Sequence, residues 1–131
     1  LIVIDASAVI ELLLRTARGK KVEAWVFKPE EQLHAPHLID IEIAQALRRL
    51  VQLKELTVAR GKQALDDHRS LHIKRASHRD MLPRIWQLRD SITAYDSAYV
   101  TLAEALDVPL LTCDAKLARS HGHGAEIELV K

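Results

Sequence analysis

Cysteine is nearly absent from this 131-residue chain: Cys113 stands alone. One thiol excludes an intrachain disulfide framework, and it excludes zinc ribbons and other multi-cysteine metal sites. It also fits a reducing compartment, so a cytoplasmic location is expected. Long apolar runs are missing as well. The charge-free stretches Leu1–Ile4 and Val108–Cys113 fall far short of the ~18–20 residues that a membrane-spanning helix needs. Asp5 interrupts the apolar start and no basic segment precedes it, so neither a signal peptide nor a membrane partner is expected. An excess of one charge sign is lacking too. The 19 Lys and Arg face 18 Asp and Glu for a net charge of +1, which is not the balance of a strongly basic nucleic-acid coat. Basic residues do recur in small groups, at Arg15/Arg18/Lys20/Lys21, Arg48/Arg49/Lys54, Arg60/Lys62 and Arg69/Lys74/Arg75. Each group reads most simply as solvated helix surface, although basic clusters beside concentrated acids could hold a polyanion and cations together.

What is present is an ordinary globular composition, 48% hydrophobic and 28% charged, which rules out wholesale disorder. The length suits one domain over residues 1–131, large enough to bury a core without a disulfide or structural metal. Leu1–Asp5 is β-branched and apolar, and predicts a buried strand ending on an acid. Ala6–Leu14 predicts a helix, Gly19 is expected to break the pattern, and a second amphipathic segment runs from Lys20 to Phe27. Strands are expected at Gln32–Ala35, Leu71–Arg75, Pro109–Cys113 and Ala125–Val130. Helices are expected at His37–Leu53, Val58–Ser70, Met81–Arg89, Thr93–Leu106 and Ala115–Ser120. The clearest of these is His37–Leu53, with Ile39, Ile43, Ala46, Leu47, Leu50 and Leu53 on one stripe. Tyr95, Tyr99, Leu102, Ala103 and Leu106 are expected to face inward from Thr93–Leu106. Strand and helix thus alternate along the chain, which predicts an α/β fold with a parallel sheet covered by helices.

Two acids stand where an apolar strand stops, Asp5 and Asp114. In an open α/β sheet, ligands bind in the crevice beyond the carboxyl ends of the strands. Glu42 and Asp96, each in the first turns of a helix, could join them there. Each acid also has a plainer reading. Asp5 and Asp114 suit helix N-caps, Asp96 could form a capping box with Thr93, and Glu42 suits a first helical turn. Together, four acids at one end of a sheet would repel and lose solvation unless a cation joined them. Oxygen-only ligands favour a hard ion such as Mg²⁺ or Mn²⁺.

The segments Ile-Asp-Ala-Ser-Ala at Ile4–Ala8, Ala-Pro-His-Leu-Ile-Asp-Ile-Glu at Ala35–Glu42, Leu-Arg-Asp-Ser-Ile-Thr-Ala-Tyr-Asp-Ser-Ala-Tyr-Val at Leu88–Val100 and Leu-Leu-Thr-Cys-Asp at Leu110–Asp114 resemble the PIN-domain family. Within it they are most similar to the VapC-type toxins of bacterial toxin–antitoxin pairs. The most specific part is Thr-Ala-Tyr-Asp followed by Thr-x-Asp, with Asp114 standing 18 residues beyond Asp96. The resemblance implies a PIN-like three-layer α/β/α fold around four to five short parallel strands. It also implies a metal-dependent endoribonuclease that cleaves RNA, such as tRNA or ribosomal RNA, leaving a 5′-phosphate and a 3′-hydroxyl. It places the family's four acids on Asp5, Glu42, Asp96 and Asp114, with Asp5 and Asp96 expected to hold the principal Mg²⁺ or Mn²⁺. Glu42 and Asp114 would complete the site by orienting water or holding a second ion. Ser7 matches the small hydroxyl residue that follows the first acid, and Thr112 is expected to support the site. Ser97, directly after the third acid, puts a fifth ligand there in doubt. Arg89 is a candidate phosphate contact. The implied partners are a cognate antitoxin, whose basic tail residue could pair with the carboxylates, an RNA substrate, and a second copy of the chain in a homodimer built on the first helices.

Other residues carry less. The seven histidines lack the His-x-x-x-His spacing of a zinc helix. Cys113 reads as a small buried hydrophobe, and Trp25 and Trp86 as core or interface packing. Two rival readings remain. One is a PIN-like binding module, catalytically silent, whose acids merely cap helices while it captures an antitoxin or RNA partner. The other is a receiver-type signalling domain, but that would want paired acids after the first strand and a lysine at a late strand end, and neither is present.

Overall fold

The computed structural model describes all 131 residues. Three β-branched residues form β1 (Ile2–Ile4), which is buried along its whole length. Asp5 stops the strand and caps α1 (Ala6–Leu14) through its carboxylate, which accepts from the Ala8 amide. Arg15 then takes a left-handed conformation, φ 56°, and turns the chain. Thr16 caps α2 (Ala17–Val26) by accepting from the Gly19 amide. The expected break at Gly19 is therefore wrong, because the turn falls at Arg15 and Gly19 lies inside α2. Its missing side chain serves close packing instead. A Cβ there would stand 2.1 Å from the Glu11 carbonyl oxygen, so only glycine lets α2 fold back against α1.

The chain continues through β2 (Leu33–Pro36), α3 (Ile39–Gln52), α4 (Val58–Ser70), β3 (Ile73–Ala76), a 3-10 turn at Arg79–Met81, α5 (Leu82–Gln87), α6 (Ala94–Leu106), β4 (Leu110–Thr112), α7 (Ala115–Ala118) and β5 (Ile127–Leu129). Ile39, Ile43 and Leu47 are the buried stripe of α3. Leu53, expected on that stripe, lies beyond the helix end and is 55% exposed. On α6 the run Ser97–Ala103 is buried, whereas Tyr95, in its exposed first turn, turns outward at 67% exposure. Trp86 is likewise 69% exposed and is not a core residue. Arg75, expected as solvated surface, is committed. Its guanidinium grips Asp40 at the start of α3 at 2.7–3.1 Å, and His68 at the end of α4 meets the same carboxylate at 2.7 Å. That cluster ties the edge strand β3 to two helices.

All five strands run parallel in the order β3-β2-β1-β4-β5. Helices α1 to α4 pack on one another, and α5 packs on α6, which crosses β1, β2 and β4, completing an α/β/α arrangement of three layers. The chain moves outward from β1 to β2 and β3, then returns to the other side of β1 for β4. The strand order therefore reverses between β1 and β4, and a crevice opens at their carboxyl ends.

Candidate metal centre

Asp5 and Asp114 flank that reversal, one at the end of β1 and the other two residues beyond β4. Asp5 is buried. Its Oδ1 accepts from the Ser7 hydroxyl at 2.7 Å and the Ala8 amide at 3.0 Å, and its Oδ2 accepts from the Thr112 hydroxyl at 2.5 Å. Thr112 in turn accepts from the Asp114 amide at 3.0 Å, and Ser7 accepts from the Cys113 amide at 3.0 Å. The two hydroxyls thus stitch β1 to β4 beneath the acids. Burial pushes the Asp5 carboxyl up to about 6 even against these three bonds, and neighbouring Asp96 adds to the shift. Both cap readings hold as well, since Asp114 Oδ1 accepts from the Lys116 amide at 2.9 Å. Capping supplies hydrogen bonds to each carboxylate but no opposite charge.

Glu42 reaches the same crevice from α3 and Asp96 from α6. The Tyr99 hydroxyl donates to Glu42 Oε1 at 2.5 Å. Burial raises the Glu42 carboxyl, Tyr99 lowers it, and Asp96 and Asp5 raise it further. Burial also raises Asp96, as does nearby Asp114, while Lys116 and the Thr93 bond pull it down. Thr93 caps α6 by accepting from the Asp96 amide at 3.1 Å. Burial, and then Glu42, hold the Tyr99 phenol far above its ordinary range. The mutual fields bind Asp5, Glu42, Asp96 and Asp114 into one electrostatic group. None of the four forms an ion pair with a Lys, Arg or His.

The residues fit a hard divalent ion on this ground: the oxygen donors of Asp5, Glu42, Asp96 and Asp114 act on one another's charge, none is in an ion pair, and the only cation whose field reaches them is the exposed Lys116, at Asp96. No three His, Cys, Asp or Glu side chains stand close enough to form a closed ligand set. Such an open arrangement suits Mg²⁺, which keeps several waters and takes only one or two carboxylates directly.

Arg89 forms no ion pair with the acids. Its guanidinium donates to the Trp86 carbonyl at 2.9 Å and lies over the Trp86 ring, 4.9 Å from its centroid. Cys113 is buried, with its thiol pushed up to about 11, chiefly by burial. Sequence reasoning did not find Tyr99 as a partner of Glu42. Its spacing three residues beyond Asp96 puts both on one helix face, which was the available signal. Also unforeseen is a cleft of about 320 Å³ running from Asp96 between Thr93 and the pair Lys116 and Arg119. Hollows of about 410 and 630 Å³ elsewhere contain none of the four acids.

The family model for the PIN domain matches residues 2–121. Ribonuclease VapC12 of Mycobacterium tuberculosis is 43% identical over 130 residues, spanning 99% of both chains. VapC ribonuclease Mb0985 of Mycobacterium bovis is 42% identical over 118 residues, spanning 90% of this chain and 89% of its own. Among solved structures, PAE2754 from Pyrobaculum aerophilum superposes with a TM-score of 0.70 at 26% identity, covering 96% of this chain and 87% of that one.

Proposed function

The chain belongs to the PIN-domain family, and from that premise we propose that it is the endoribonuclease toxin of a toxin–antitoxin pair, hydrolysing RNA with a bound divalent metal ion. One observation carries the reading: a group of four carboxylates, none of them in an ion pair, at the strand-order reversal, in a chain similar along almost its whole length to ribonucleases. No helix is long and apolar enough to cross a membrane, and the family reading is what places its work on RNA in the cytoplasm.

Asp5 and Asp96 would hold the principal ion, Mg²⁺ or Mn²⁺, directly or through water, with Glu42 and Asp114 completing the site. When bound, the ion would polarise the phosphoryl group, lower the pKa of water and stabilise the departing oxygen. The protein's own part is positional and electrostatic. Ser7, Thr112 and the Ala8 amide fix both oxygens of Asp5, so its carboxylate cannot swing away. Tyr99 holds one oxygen of Glu42 and leaves Oε2 to accept a proton from an attacking water or to meet the ion. An antitoxin partner and a homodimer follow from the same family reading, the antitoxin presenting a cation to the carboxylates.

The test is incubation of antitoxin-free protein with end-labelled RNA in Mg²⁺, Mn²⁺ or EDTA, beside a folded Asp96→Asn variant. Metal-dependent cutting that the variant loses supports the assignment. Equal cutting by both proteins overturns it.

A further inference from the structure

A group of four carboxylates repels RNA, and one divalent ion neutralises only half of that charge. Affinity for a polyanion must therefore come from cations beside the acids. Most arginines near the sheet ends are already engaged: Arg18 pairs with Glu11, Arg75 with Asp40 and Arg84 with Glu104. Lys116 and Arg119 are not. Neither forms an ion pair, and neither side chain donates a hydrogen bond within the protein. Both line the cleft of about 320 Å³ that opens from Asp96, with the Thr93 and Ser120 hydroxyls on its rim.

The cationic wall of this cleft is held firmly. Gly122 adopts φ 89°, and a Cβ there would stand 2.6 Å from Ser91 Oγ on the opposite wall, so the loop closes only with glycine. Ser120 donates to the Leu117 carbonyl at 2.5 Å and meets His123 Nε2 at 2.8 Å. Glu104 clasps the far end of the same loop, accepting from the Gly124 amide at 2.8 Å while Arg84 pairs with it. Two uncommitted cations carried on a braced backbone, in one cleft with the Thr93 hydroxyl and Asp96, stand where a phosphate could meet them beside the proposed metal site.

We propose that Lys116 and Arg119 form a subsite for the RNA phosphate adjoining the one that is cut, with the Thr93 hydroxyl as a further donor. The proposal rests on the ribonuclease reading above. It makes a substrate with several consecutive phosphodiesters necessary for tight binding, and a dinucleoside monophosphate a poor ligand.

The experiment measures binding of a fluorescein-labelled single-stranded RNA 12-mer to the whole chain in EDTA across a range of salt. It compares the unaltered protein with Lys116→Gln, Arg119→Gln, the double variant, Lys116→Arg as rescue, and Arg48→Gln as a basic control on α3. Each Gln variant should weaken binding by about fivefold to tenfold, as expected for loss of one solvent-exposed hydrogen bond to phosphate. The double variant should flatten the salt slope by about 0.7, the value for one phosphate contact on a single strand. Lys116→Arg should restore affinity, and Arg48→Gln should leave both quantities unchanged. Mn²⁺ affinity, followed by calorimetry, should hold or tighten in Lys116→Gln, because a cation near Asp96 has gone. If the unaltered protein binds and cuts RNA while the double variant does so with equal Kd, KM and salt slope, the subsite is overturned and the nuclease reading stands. If the unaltered protein neither binds nor cuts RNA, both fall together.

Discussion

Burying the Asp5 carboxyl between β1 and β4 raises its pKa from 3.8 to about 6, and a shift of that sign sets a pH dependence for the metal-free protein. The folded state holds the proton more tightly than the unfolded one, so this group favours folding fully below pH 4. The advantage is lost as pH rises through 6. The difference is on the order of 3 kcal/mol. Urea titrations in EDTA at pH 4.5 and 7.5 should show it as a lower midpoint at the higher pH, once the same measurement on Asp5→Asn is subtracted. Asp5→Asn should be the more stable protein at pH 7.5, by about 1–3 kcal/mol, while cleaving no RNA. Equal midpoints for the two proteins at pH 7.5 would show that Asp5 is not strained by its charge. Tyr99 makes the second prediction at this scale. Its hydroxyl donates to Glu42 and lowers that carboxyl against burial and two neighbouring acids. Tyr99→Phe removes the only downward influence, so the acid limb of the cleavage profile should move to higher pH, with activity at high pH reduced far less. The limb belongs to the coupled acids jointly, and an unmoved limb would remove Tyr99 from the working site.

The hairpin of α1 and α2 turns on a single atom that is absent. With the Glu11 carbonyl oxygen 2.1 Å from where a Gly19 Cβ would sit, Gly19→Ala forces two backbones apart. The gain in helix propensity, roughly 1 kcal/mol, cannot offset an overpacked backbone contact that costs about 1–3 kcal/mol and often more. Chemical denaturation should show net destabilisation, and an unchanged or raised midpoint would mean that the helices can separate freely. Gly19 also marks the limit of reading this fold from sequence. Alternation of apolar strands with amphipathic segments was legible, and it placed every strand and most helix bounds within two residues. A glycine that serves close approach looks the same in sequence as one that breaks a helix. The true break, at Arg15 with φ 56°, carries no residue that announces a left-handed turn. Periodicity likewise overreached where helices end. Leu53 and Tyr95 keep the spacing of their stripes but lie at an unpacked terminus, and Arg75 looked like surface until Asp40 and His68 were brought to it from two other elements. At the crevice, the strand-end acids could be read because a strand stopped there, and Glu42 and Asp96 through the motif. The Tyr99 bond and the Lys116–Arg119 cleft depend on distances between elements, which spacing along one chain does not encode.

Across the whole molecule, the proposed site would couple metal binding to stability. The raised carboxyls of Asp5, Glu42 and Asp96 destabilise the fold at neutral pH, and a divalent ion that bound only the folded state would reverse the effect by mass action. Free ion at one hundred times its dissociation constant should add about 2.7 kcal/mol, which for a chain of this length raises Tm by several degrees. The gain must depend on pH, because ions bind ionised carboxylates and protonated ones must first release their protons. With Asp5 at about 6 and Glu42 and Asp96 shifted the same way, the increase in Tm on adding Mg²⁺ or Mn²⁺ should be large at pH 7.5 and small at pH 5. Asp96→Asn should reduce it at both. Ca²⁺ should stabilise as a hard ion does, and Zn²⁺ should hold no special advantage, since no Cys or His joins the group. A Tm that rises equally at pH 5 and 7.5, or equally in Asp96→Asn, would mean that the ions bind elsewhere. The fold would then gain nothing from them at the crevice, and the strain in Asp5, Glu42 and Asp96 would need a cation from another source, such as a basic side chain of the antitoxin.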